Sequence, residues 1–97
     1  MEKLILNEQE VINALCLFHA RFKNVQPSDV EVELAYDDAA GFTAEAYLNG
    51  QMEYYNTVNL ITAIRLYLEE QLNRDSMSAR IVLDLHDEEG IIARIEW

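Results

Sequence analysis

At 97 residues the chain suits one small domain and leaves no room for a second core. It is 51% hydrophobic, which excludes disorder, and 18 Asp and Glu against 7 Lys and Arg give a formal net charge of −11. That charge repels phosphate backbones and anionic lipid, so nucleic acid and membrane are not expected partners. No apolar run approaches the roughly 18–20 residues of a membrane span. Glu2, Asn7 and Glu8 interrupt the residue order of a signal peptide, and the single Cys16 has no internal disulfide partner. The expected home is the cytoplasm.

Residues 3–6 read as a short strand. Asn7 then offers a helix N-cap, with Glu10 three residues on completing a capping box. The helix is expected to run to about Lys23, with Val11, Ile12, Leu15, Phe18 and Phe22 as its buried stripe and Ala14 and Leu17 extending it. Cys16 on that surface reads as a small buried hydrophobe, and His19 as a partly buried histidine at the stripe's edge. Pro27 ends the segment.

Residues 30–48 contain two alternating runs around Asp37-Asp38-Ala39-Ala40-Gly41, the pattern of a β-hairpin. A type I turn closed by Gly41 predicts an Ala39-Ala40-Gly41 loop and the pairs Tyr36 with Ala44, Leu34 with Ala46 and Val32 with Leu48. Asn49-Gly50 signals a second hairpin. A two-residue loop there would turn Glu53 toward the core, whereas a three-residue loop would keep Met52 and Tyr54 inside. The second is favoured because a buried unpaired carboxylate is costly. A second helix is expected from Asn56 or Thr57 to about Asn73, with Leu60, Ile61, Ile64, Leu68 and Leu72 as its core stripe. A last hairpin should pair Leu85 with Ala93, Leu83 with Ile95, Ile81 with Trp97 and, on its outer face, Asp84 with Arg94.

Sliding the chain on itself by 49 residues aligns 1–48 with 50–97. Nine positions are then identical: Asn7/Asn56, Ile12/Ile61, Ala14/Ala63, Leu17/Leu66, Asn24/Asn73, Leu34/Leu83, Asp38/Asp87, Gly41/Gly90 and Ala44/Ala93. Composition alone would give about three, and the identities fall at caps, turn corners and core positions. The expectation is one α+β domain over residues 1–97, built as a β-α-β-β unit written twice. About six mainly antiparallel strands would form a sheet with two helices on one face. Ala14/Leu17 and Ala63/Leu66 suggest where the helices touch.

No Ser/His/Asp, Cys/His, HExxH, CxxC or glycine-rich phosphate loop is present, so catalytic residues and cofactors are not expected. The weak metal candidates are His86, Asp87, Glu88 and Glu89 in the second acidic turn, a possible set of oxygen and imidazole ligands. Asp38 and Asp87 have a simpler role as turn carboxylates, Gly41 and Gly90 supply positive φ, and His86 reads as a solvated strand histidine. On the outer sheet face, Glu31, Glu33, Glu45, Tyr47, Glu53 and Tyr55 would oppose Arg80, Val82, Asp84, Ile92 and Arg94 of the second half. Acidic Glu31 and Glu45 stand where the second half has Arg80 and Arg94. The leading expectation is a non-enzymatic interaction or self-association module, a homodimer; the alternative is a small-ligand or divalent-metal-binding protein using the acidic turns.

Met1 to Ile5, the capped first helix, Pro27 to Leu34, Tyr36-Asp37-Asp38, Gly41 to Glu45 and Ala63 to Glu70 resemble the YxcD-like family. These are short, uncharacterised proteins of Bacillus and related Firmicutes. The resemblance implies a small bacterial cytoplasmic protein of unknown function and carries no catalytic signature.

Overall fold

Both helices begin on the asparagines that the sequence singles out. Asn7 Oδ1 accepts from Glu10 N at 2.8 Å while Glu10 Oε1 accepts from Asn7 N at 3.1 Å, and Asn56 and Asn59 repeat the exchange at 3.0 Å each way. In this computed structural model, which describes residues 2–97, they start helices α1 (Glu8–Lys23) and α2 (Thr57–Glu70). Asn24 closes α1 in the left-handed conformation (φ 59°), and Asn73 adopts the same conformation (φ 53°) beyond the end of α2. Helix α2 stops at Glu70, short of the expected Asn73.

Six strands complete the α+β fold: β1 (Lys3–Leu6), β2 (Glu31–Asp37), β3 (Gly41–Leu48), β4 (Gln51–Tyr55), β5 (Arg80–His86) and β6 (Gly90–Glu96). Every pairing is antiparallel, and the strands form two sheets of three, ordered β2-β3-β4 and β1-β6-β5, in place of a single six-stranded sheet. The Asn49-Gly50 turn folds β4 back onto β3 and β1 lies beside β6, and among the described residues no strand of one sheet pairs with a strand of the other.

The pairing registers of the two sheets are related by one shift. Leu34↔Ala44 and Leu83↔Ala93 differ by 83 − 34 = 93 − 44 = 49, as do Glu31↔Tyr47 and Arg80↔Glu96. Moving β3 forward and β4 back by the same 49 turns Ala44↔Tyr55 into Ala93↔Leu6. Between the helices Arg21 and Glu70, also 49 apart, form a two-pronged ion pair, with Nη1 to Oε2 at 2.7 Å and Nη2 to Oε1. Leu6, Ala93 and Ile95 of one sheet, Ala44, Ala46 and Tyr55 of the other, and Val11, Leu15, Leu60, Ile64 and Leu68 of the helices share one core. The alanines on the sheets let the helices approach closely.

Four expectations need correction. Each outer hairpin is offset by two from the predicted register: Leu34 faces Ala44 and Tyr36 faces Phe42, while Leu83 faces Ala93 and Leu85 faces Ile91. In the first, Asp37 opens the turn rather than Asp38. Its Oδ1 accepts from Ala39 N and Ala40 N at 2.7 Å, which moves the loop back by one residue. Asp84 consequently lies opposite Ile92, and it reaches Arg94 diagonally at 3.6 Å. The Asn49-Gly50 loop has two residues, both at positive φ (52° and 79°), and pairs Leu48 with Gln51. Met52 and Tyr54 are therefore outside and Tyr55 inside. Phe22, expected in the core, is 67% exposed at the end of α1, where it lies beneath the Lys23 ammonium. Ile92, expected on the exposed face, is buried because β6 is the central strand of its sheet.

Candidate functional site

The second acidic turn is organised by hydrogen bonding within its own hairpin. His86 Nε2 faces Asp84 Oδ2 at 3.2 Å, and Nδ1 faces Glu89 Oε2 at 3.4 Å. The His86 contact, with help from Leu85 N–H and Arg94, holds the Asp84 carboxyl below its ordinary range. Asp87 and Glu88 are exposed and join neither contact. Among the described residues, no group of three or more His, Cys, Asp and Glu is placed to hold a metal ion.

A polar pair that sequence reading missed lies under the first sheet. His19 is 1% exposed, and its Nδ1 stands 2.5 Å from the hydroxyl of Tyr55, itself 7% exposed. The two rings meet edge to face, and Phe18 meets Tyr55 likewise. Burial lowers the imidazole pKa and the nearby Lys23 charge adds to that, while Glu53 opposes it; burial also pushes the Tyr55 phenol to about 12. The signal was the Asn-Gly dipeptide: a two-residue turn sends Tyr55 inward, and Glu53 then lines a cavity with His19 and Lys23 rather than sitting unpaired in the core.

The exposed faces of the two sheets differ in charge. On β2-β3-β4 the outward residues include Glu31, Glu33, Glu45, Tyr47, Met52 and Tyr54. Tyr47 donates to Glu45 Oε1 at 2.6 Å, and that bond raises the phenol pKa to about 12. Met52 and Tyr54 are each about half exposed. On β1-β6-β5 the corresponding face carries Lys3, Arg80 and Arg94 against Asp84 and Glu96, with Ile5 and Val82 between them. The 49-residue shift places Arg80 on Glu31, Arg94 on Glu45 and Ile5 on Tyr54 (80 − 31 = 94 − 45 = 54 − 5 = 49).

A cavity of about 740 Å³ opens between the two helices and the start of β2. Cys16 stands in its wall, with Sγ 3.5 Å from Val30 O, and burial keeps its thiol protonated by raising the pKa. Ile12, Leu17 and Tyr67 give the cavity apolar walls, while Glu31 and Glu33 line it with carboxylates.

No helix among the described residues is long and apolar enough to cross a membrane. The family described as "Protein of unknown function (DUF2653)" matches residues 1–88. The chain is 31% identical over 94 residues to the uncharacterised protein YxcD of Bacillus subtilis (strain 168), covering 96% of this chain and 92% of that protein. No solved structure matches it. The capped first helix, the first hairpin's turn residues and residues 63–70, which resemble the YxcD-like group, thus lie within a match spanning nearly the whole length, and the chain belongs to the DUF2653 family.

Proposed function

We propose that this chain is a non-enzymatic self-association module that works in the cytoplasm as a homodimer. The observation that supports it is charge inversion at equivalent register positions on exposed sheet faces: Glu31 and Glu45 on one, Arg80 and Arg94 on the other. The acidic face of one copy would meet the basic face of the second, with Met52 and Tyr54 against Ile5 and Val82 of the partner sheet. All four apolar side chains are at least 37% exposed in the single chain. Apolar contact would supply most of the affinity, and the charges would set register and partner choice.

Sedimentation velocity at low and high salt tests this. The dimer is expected at low ionic strength and should weaken as salt screens the faces. Glu45→Arg and Arg94→Glu should each raise the dissociation constant roughly tenfold, and combining them should restore much of the loss. A monomer at both salt concentrations would remove the proposal.

A further inference from the structure

The two halves treat one backbone site differently. In the second half Arg65 reaches from α2 to the loop before β5, where its Nη1 donates to Ala79 O at 2.9 Å and to Ser76 O. The 49-residue shift takes Arg65 to Cys16, Ala79 to Val30 and Ser76 to Pro27 (65 − 16 = 79 − 30 = 76 − 27 = 49). Cys16 likewise addresses the carbonyl of Val30, but through a side chain too short to fill the space. The groove that an arginine occupies in one half is, in the other, the cavity of about 740 Å³ lined by Cys16, Pro27 and Val30.

We infer that this cavity binds a small alkylguanidinium-type cation, seated where Arg65 lies in the second half. Val30 O is the counterpart of Ala79 O, and Pro27 O, the counterpart of Ser76 O, accepts from Val30 N at 3.1 Å and keeps its second lone pair for a ligand. Glu31 and Glu33 supply opposite charge, and no lining residue is cationic. Ile12, Leu17 and Tyr67 provide apolar surface for an alkyl stem, as the stems of long cationic side chains require. The volume lies in the range of small-molecule sites, roughly 300–1,000 Å³. A guanidinium suits paired oxygen acceptors because its donors form a planar fork. Glu31 and Glu33 also lie on the acidic sheet face of the proposed dimer, so the titrations are run at a protein concentration at which sedimentation shows a single chain.

Calorimetric titration with butylguanidinium and its neutral analogue butylurea separates charge from shape. The cation is expected to bind, more weakly as salt rises, while butylurea should not. Cys16→Ser should keep the cavity open and retain binding. Cys16→Arg should place a tethered guanidinium in the groove and abolish binding. Should that variant misfold, the exposed pair Glu31→Gln with Glu33→Gln supplies the decision, with an expected loss of roughly tenfold in affinity. Equal binding of butylurea, or undiminished affinity in the Glu31→Gln, Glu33→Gln variant, overturns the inference. So does binding of an arginine peptide without butylguanidinium, which would assign the groove to a protein partner.

Discussion

His19 and Tyr55 show how a single polar pair ties a helix to a strand from the other half of the chain. With its Tyr55 partner removed, the imidazole would keep its burial and lose a hydrogen bond. Tyr55→Phe is therefore expected to cost about 1–3 kcal/mol in urea unfolding at neutral pH. The folded chain also holds His19 neutral to lower pH than the unfolded chain does, because burial and Lys23 outweigh Glu53. Below about 6.5 the unfolded state takes up more protons, so stability should fall as pH drops through that value toward the folded pKa. Melting temperatures at pH 7.5 and 5.5 check this; His19→Leu should flatten the dependence over that interval. Gly90 combines two demands. Its φ is +77°, and a Cβ would strike the Glu8 carboxylate, which accepts from Ile91 N at 2.9 Å. Gly50 has a similar φ of +79° and open space around it. Gly90→Ala should thus cost about 2–3 kcal/mol against about 1–2 kcal/mol for Gly50→Ala, measured by urea midpoints.

At the scale of elements, the caps carry the local code. Asn7→Ala and Asn56→Ala should each cost about 1 kcal/mol, because each removes an acceptor from a helix's first turn. Thermal melts check both, and an additive double variant would show that the helix starts act separately. Helices α1 and α2 and the three hairpins were legible in the sequence because caps, turn glycines and apolar spacing are local. Register was less legible. The predicted slip of two keeps Leu34 and Leu83 on their correct faces, so alternation alone does not distinguish it from the observed pairing. In the first hairpin two backbone amides donate to Asp37 Oδ1, and alternation carries no trace of that; the second has His86 at that place and shares with the first only a glycine at positive φ closing the turn, Gly41 and Gly90. The Asn49-Gly50 loop failed for a different reason. Avoiding a buried Glu53 favours three residues, and the flanking cavity with Lys23 and His19 that takes its carboxylate exists only in three dimensions. The groove beside Cys16 was legible in part: the offset alignment pairs Cys16 with Arg65, but the carbonyls that give that pairing meaning appear only in three dimensions.

For the whole molecule, the governing fact is that neither sheet belongs to one half of the sequence. The first hairpin takes β4 as its third strand, and the last takes β1, more than 80 residues away along the chain. Such a fold gains little from either half alone, so residues 2–48 expressed by themselves should lack cooperative melting, as followed by circular dichroism. The β1–β6 seam has a second consequence. Trp97 N donates to Glu2 O at 3.0 Å, in the position that Leu48 and Gln51 hold across the Asn49-Gly50 turn. Glu2 and Trp97 therefore stand side by side as Gln51 and Leu48 do across the two-residue Asn49-Gly50 connection. A permuted chain that bridges Trp97 to Glu2 with Asn-Gly and opens between Asn49 and Gly50 should fold with a similar melting temperature. A chain permuted in this way would run its helices and hairpins in a new order and keep every strand pair of both sheets.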